Sequence, residues 1–247
     1  MSNEQTGKVL KLEQNQNGRD FVVGDIHGNF DLFERLLLEL DFNPENDRIL
    51  SVGDSIDRGP DSHKAIGYYD NPWFYSVLGN HEEMLISAQA REYGIYEMWM
   101  QNGGDWSDNV PDDTLAEMSV FYQTLPLAIQ VETEFGTVGI VHADVPREFS
   151  WPVLIEALEN NTLSKRETKA LMWSRDSYRK LRMAREYPGA LKEVDIDDVH
   201  RVYVGHSIVN TPASYGNMMF IDTGAYSSGK LTAVDLSNEE VIVYGTS

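Results

Sequence analysis

Five short apolar runs in this 247-residue chain each end in groups able to ligate a metal or move a proton. Residues 21–23 lead into Gly24-Asp25-Ile26-His27-Gly28, and residues 49–52 into Gly53-Asp54-Ser55-Ile56-Asp57-Arg58-Gly59-Pro60. Residues 76–78 lead to Gly79-Asn80-His81-Glu82, residues 139–141 to His142-Ala143-Asp144, and residues 202–204 to Gly205-His206. Any one of these alone is an ordinary turn: Asp and Asn favour turns, and Asn accepts positive φ. Independent turns have no reason to choose ligand types five times in one register. Ligands in open α/β sheets gather beyond the carboxyl ends of strands, so the groups are expected on one rim. Three imidazoles (His27, His142, His206), two carboxylates (Asp25, Asp54) and one amide (Asn80) form a nitrogen and oxygen donor set without sulfur. That set suits Mn, Fe, Zn, Ni or Mg-like cations in higher coordination rather than a closed tetrahedral zinc site. Six donors exceed the need of one catalytic ion and match two ions about 3.5–4 Å apart that share a carboxylate.

The elements that must hold these groups are readable from periodicity. Residues 21–23, 49–52 and 74–78 read as strands. Helices are expected from Leu32 to Leu40 on a 3.6-residue apolar period, at residues 65–69 and at residues 82–92. This alternation predicts parallel βαβ units. Helical stretches follow between residues 93 and 122. Residues 127–132 and 137–141 then read as a hairpin around Glu134-Phe135-Gly136, with helices at 152–160 and 165–172. Residues 176–198 are charged and read as an irregular surface excursion. Four strands, at residues 202–204, 218–221, 231–236 and 241–244, close the chain. A parallel-rich first half and an antiparallel second half predict a mixed α/β (α+β) chain with two sheets packed face to face and helices outside. No repeat, low-complexity tract or linker divides it, so one domain over 1–247 is expected, with its core at about 21–236 after a polar stretch at 1–19.

Composition narrows the function classes. Forty Asp and Glu against 20 Lys and Arg give a formal charge of −20. Such a field repels nucleic-acid backbones and anionic membranes, and bound cations would offset part of it. With no cysteine, thiolate sites, disulfides and cysteine nucleophiles are absent. The N-terminal stretch lacks an apolar signal-peptide region, and no run of about 18 apolar residues occurs, so a cytoplasmic protein is expected.

The blocks GDIHG, GDSIDRGP, GNHE, VHAD and VGHS, in this order, resemble the signature blocks of the phosphoprotein phosphatase family of metallophosphoesterases. The likeness is to its bacterial and bacteriophage branch. PWFYSVLGNHEEMLI, MWSRD and FIDTGA fit the same branch, and the resemblance spans residues 21–236. It implies the calcineurin-like four-layer sandwich, with two central mixed sheets flanked by helices. It also implies two divalent metal ions, Mn²⁺ foremost with Fe, Zn, Ni or Co able to replace it. Asp25 and His27 would hold the first metal, Asp54 would bridge both, and Asn80, His142 and His206 would complete the second. His81 would be the general acid oriented by Asp57, with Arg58 and Arg175 gripping the phosphoryl oxygens. Hydrolysis would proceed by direct attack of a metal-bridging hydroxide, without a phosphoenzyme. The implied substrate is a phosphoprotein or phosphopeptide, phosphoserine and phosphothreonine first and phosphotyrosine also open, acted on by a monomer or weak oligomer.

Two departures from the family pattern stand out. Asp144 replaces the glycine usual in eukaryotic members, either tuning the rim or serving as a solvated turn carboxylate. Ser207 stands where threonine is usual. Two other readings remain. A dinucleoside tetraphosphate hydrolase of the same superfamily would typically lack Asp57, and a non-catalytic scaffold would lack ligands. His63 and His200 lie outside the blocks and are expected on the solvated surface.

Overall fold

Strands buried on both faces need apolar residues at successive positions rather than alternate ones, and the runs before the ligand groups have that character. The computed structural model describes residues 4–189 and 191–245. In it β3 (Asp20–Val23), β4 (Arg48–Ser51) and β5 (Phe74–Ser76) follow β1 (Glu4–Thr6) and β2 (Val9–Leu12). Next come β6 (Ala128–Thr133), β7 (Gly136–Val141) and β8 (Arg201–Val204). The last are β9 (Ala213–Tyr215), β10 (Met218–Phe220), β11 (Lys230–Asp235) and β12 (Glu240–Gly245). The helices are α1 (Phe30–Glu39), α2 (Ala65–Tyr69), α3 (Asn80–Gln89), α4 (Ile95–Gln101) and α5 (Asp112–Tyr122). They continue as α6 (Trp151–Glu159), α7 (Lys165–Trp173), α8 (Asp176–Glu186) and α9 (Ala225–Ser228).

Two mixed sheets result, ordered β12-β11-β3-β4-β5 and β1-β2-β6-β7-β8-β10-β9. Side-chain alternation along the strands assigns the layers. Val22, Leu50 and Val52 of one sheet join Ile129, Ile140, Tyr203 and Ile221 of the other in a core between the sheets. Their neighbours Phe21, Val23, Ile49, Val202 and Val204 face a separate core shared with the helices. On α1 the buried residues Phe30, Phe33 and Leu36 recur every three positions and form the stripe that packs there. The expected pair of face-to-face sheets with helices outside is therefore present.

The short elements β1, β9 and α9 were not expected from the sequence, and four larger details differ from its reading. Strands β3, β4 and β5 are parallel as expected, but β7, β8 and β10 also pair in parallel, so the second half is mixed rather than antiparallel. Residues 176–186 form α8 rather than an irregular loop. Only Ser177 and Leu181 are buried on it, a stripe too narrow to stand out among its charges. The polar N-terminal stretch contains β2, with Val9, Leu10 and Leu12 buried against β6, so the folded core begins before Phe21. Finally α3 starts at Asn80 rather than near Glu82, which puts Asn80 and His81 in its first turn. Among the described residues, no helix is long and apolar enough to cross a membrane.

Candidate active site

Because β3, β4 and β5 run parallel, the loops leaving them open on one edge, and those leaving β7 and β8 meet them there. Asp54 is at the centre. Its Oδ2 lies 3.3 Å from His142 Nε2, 3.7 Å from His27 Nε2 and 3.8 Å from His81 Nε2. Its Oδ1 accepts the His81 backbone N–H at 2.9 Å. Asn80 Oδ1 lies 2.9 Å from His142 Nε2 and 2.7 Å from His206 Nδ1. Asp25 Oδ2 accepts the His206 backbone N–H at 2.9 Å and lies 4.0 Å from His27 Nε2. All six residues expected as ligands are thus brought together, all buried.

The four residues expected to handle the substrate border the same rim. His81 Nδ1 is 2.6 Å from Asp57 Oδ2, and Arg58 Nη1 donates to His27 Nε2 at 3.2 Å. Arg175 is exposed just before α8, near enough to His206 for its charge to disfavour the imidazolium.

Local backbone explains why these residue types occur. Ten non-glycine residues have positive φ among the described residues, and five are His27, Asp54, Asp57, Arg58 and His206. The left-handed region costs most side chains energy and is tolerated best by Asn, Asp and His. Half of the residues in this conformation therefore lie in the site, where such strained backbone tends to concentrate. The glycines serve close approach: a methyl at Gly205 would overlap Asp25 Oδ1, and one at Gly59 would overlap the His27 carbonyl oxygen.

The donor chemistry fits cations. Asp25 Oδ1 is buried with no hydrogen-bond partner, a state costly for a carboxylate oxygen unless a cation faces it. His27 Nδ1 donates to the Ile56 carbonyl at 2.9 Å and His142 Nδ1 to the Val52 carbonyl at 2.7 Å. With Nδ1 so committed, each ring turns its Nε2 toward the carboxylates, the orientation expected of a metal-ligating histidine. Two groups of three residues converge closely enough to share an ion: His27, Asp54 and His81, and Asp54, His142 and His206. His81 therefore also lies within ligand reach, although its Nδ1 is committed to Asp57.

Electrostatics separates the groups. Burial, then the neighbouring Asp222 and Asp54, push the Asp25 carboxyl well up. Burial also opposes ionisation of Asp54, but His142 and His81 hold it well below the usual carboxylate range. Burial and the adjacent His142 pull His206 down to about 3, leaving it neutral and able to offer a lone pair. Burial with His81 likewise lowers His27. Burial draws His142 down too, but Asp54 overrides it and raises the ring above its ordinary value.

Several supporting residues had no signal in the sequence. Trp99 Nε1 donates to both oxygens of Asp57 at 3.0 Å, and Trp106 Nε1 to Oδ1 at 2.6 Å. Glu82 accepts from the backbone of Asp54, Ser55 and Gly79 and from the Ser55 hydroxyl, so α3 and the turn after β4 are tied by one carboxylate. The Arg58 guanidinium lies 4.3 Å over the Tyr226 ring, whose edge also meets His27. Asp144 is not a solvated turn residue. It is buried, and its Oδ2 accepts from Ser174 Oγ and Ser177 N, which braces the segment carrying Arg175. His63 is exposed as expected, but His200 is half-buried and paired with Glu239 at 2.9 Å.

Two packed sheets with a carboxylate–histidine rim define a metallophosphoesterase-type α/β sandwich. The family model described as calcineurin-like phosphoesterase matches residues 21–210, and the chain belongs to that family. It is similar to serine/threonine-protein phosphatase 2 of Escherichia coli K12, 34% identical over 86% of this chain and 90% of that one. A symmetrical bis(5'-nucleosyl)-tetraphosphatase of Shewanella sp. MR-4 is 32% identical over 54% of this chain and 47% of its own. Among solved structures, a protein serine/threonine phosphatase from Saccharomyces cerevisiae matches with a TM-score of 0.64 at 15% identity. The match covers 98% of this chain and 85% of that one, a likeness of fold.

Proposed function

We propose that this chain is a metal-dependent phosphomonoesterase that removes phosphate from phosphoserine and phosphothreonine in proteins, with phosphotyrosine as a lesser substrate. The observation that carries the reading is Asp54 Oδ2 set among three imidazole nitrogens within 3.8 Å, beside the His81–Asp57 pair. Asp25, His27 and Asp54 would hold one divalent ion, and Asp54, Asn80, His142 and His206 the other. Two Mn²⁺ ions are the proposed pair, since the mixed nitrogen and oxygen donor set accepts Mn²⁺ and also Fe, Zn, Ni or Co. Bound there, the ions would supply Lewis acidity toward the phosphoryl oxygens and acidify water to near neutrality.

The chain's own groups complete the reaction. Arg58 and Arg175 would bind the phosphoryl oxygens, the planar fork of Arg58 held in place by Tyr226. Asp57, fixed by two indoles, would keep the proton of His81 on Nδ1 and orient the ring. Nε2 of the imidazolium then faces the site and would give its proton to the leaving serine or threonine alkoxide. Every group named comes from one chain, so the reaction as proposed needs no partner subunit.

The second reading, hydrolysis of a dinucleoside tetraphosphate, is favoured by the Shewanella relative over about half the chain. Asp57 argues against it, because that activity is associated with its absence. One experiment separates them: metal-free protein reconstituted with single metals, assayed on a phosphopeptide panel and on diadenosine tetraphosphate. Turnover of phosphopeptides with Mn²⁺ is expected. Turnover of the dinucleotide alone would reverse the order of the two readings.

A further inference from the structure

Cations are scarce in this chain, yet they crowd one part of it. Residues 165–192 hold nine of the 20 Lys and Arg and only three of the 40 Asp and Glu. This segment comprises α7 and α8, which flank the His206 loop. The Trp173 ring at the end of α7 lies 6.3 Å from the His206 ring. Between α7, the start of α8 and the loop at residues 144–148 runs a groove of about 660 Å³, with Trp173 in its wall.

Arg147, Lys165, Arg166, Lys169 and Lys180 line that groove, and none of them is ion-paired with a carboxylate among the described residues. The acids beside them are mostly engaged elsewhere. Asp144 is taken by Ser174 and Ser177, Asp176 by Arg179, and Glu167 caps α7 through Ser164. Exposed Glu148 is the groove carboxylate left over. Burial lowers the Lys180 ammonium below its ordinary value, and the neighbouring Arg147 adds to this against the opposing pull of Asp144 and Asp176. Like charges held this close in a chain of net −20 leave a strong local field for an anion.

Resting on the function proposed above, we propose that this groove docks acidic residues of the phosphoprotein substrate, two to four positions from the phosphorylated one. That many extended residues span about 7–14 Å, enough to pass from the rim beyond Trp173. The occupant is a run of Asp or Glu rather than a second phosphate. The cations are strung along the groove, Lys165 and Lys169 one turn apart on α7, Lys180 on α8 and Arg147 opposite, instead of converging on one point.

The test compares kcat/KM of the Mn²⁺-loaded enzyme on three phosphoserine peptides: neutral flanks, glutamates before the phosphoserine, and glutamates after it. p-Nitrophenyl phosphate, which has no flanks, is the control. One acidic peptide should be preferred by about tenfold over the neutral one at low salt. The preference should fade at 0.15 M salt, where screening shortens to about 8 Å. Arg147→Ala/Lys165→Ala/Lys169→Ala, at three exposed positions, should abolish it while leaving p-nitrophenyl phosphate turnover unchanged. Lys165→Arg/Lys169→Arg should keep it. Equal turnover of all three peptides by the unaltered enzyme overturns the docking groove alone, as does a loss in the triple variant shared by every substrate. Turnover of p-nitrophenyl phosphate with none of any peptide overturns the protein phosphatase reading and the groove with it.

Discussion

His81 and Asp57 are separated by 23 intervening residues, yet their side chains meet at 2.6 Å, and Trp99 and Trp106 close the other sides of the carboxylate. An acid held this firmly matters most when the leaving group is a poor one. His81→Asn should lower turnover of a phosphoserine peptide by about 10²–10⁴-fold. p-Nitrophenyl phosphate, whose phenolate departs without a proton, should lose much less. Equal losses on both substrates in steady-state assays would remove His81 from the acid role. Tyr226 acts one step away, through Arg58. A cation–π contact at a part-exposed site contributes about 0.5–1 kcal/mol, so Tyr226→Leu should raise KM about two- to fivefold while Tyr226→Phe leaves it unchanged. If both variants behave alike, the ring is not what positions the guanidinium.

The turn after β4 and the start of α3 are joined through Glu82, which is fully buried and accepts four hydrogen bonds. That arrangement tolerates a carboxylate only because backbone N–H groups surround it, and burial still pushes its pKa up. Glu82→Gln would aim an amide donor at those same N–H groups. The expected cost is about 2–3 kcal/mol, read as a lower urea midpoint. Activity should fall as well, because the Asp54 backbone is one of the groups released. A variant of undiminished stability would show that the turn is held by other contacts.

Across the molecule, folding forces carboxylates together: Asp25, Asp54, Asp222 and Glu82 are all buried around one rim. Burial raises the Asp222 carboxyl to about 6 from an ordinary value of 3.8. Between about pH 4 and 6 the unfolded chain has therefore released a proton that the metal-free native state retains. Stability from this group is full below pH 4 and is lost as pH rises through 6. Asp222→Asn should accordingly gain thermal stability relative to the unaltered metal-free protein as pH goes from 4 to 7. A constant difference across that range would contradict the assignment. Divalent metal should offset the same crowding. At 100 times its Kd it contributes about 2.7 kcal/mol, which for a chain of this size raises the unfolding midpoint by about 5–10 °C. Unchanged melting with Mn²⁺, Zn²⁺ or Ni²⁺ would show that the rim holds no such ion.

The chain order of the blocks already carried the donor types and the strands before them, because each is a local pattern of a few neighbouring residues. The hairpin at 127–141 and the stripe of α1 were legible for the same reason. Asn80 and His81 were recognised as site residues, but their place in the first turn of α3 was not, since helix ends depend on contacts such as Glu82 with the β4 turn. Neither Trp99 and Trp106 on Asp57, nor Tyr226 under Arg58, nor the burial of Asp144 left any trace in spacing. Their partners come from segments tens of residues away, brought close only by sheet order and register. The narrow apolar stripe of α8 was hidden by its charges, and with it the cationic groove. Residue type is written locally in the sequence, whereas the distance between two loops is decided by how strands that are remote in the chain become neighbours in a sheet.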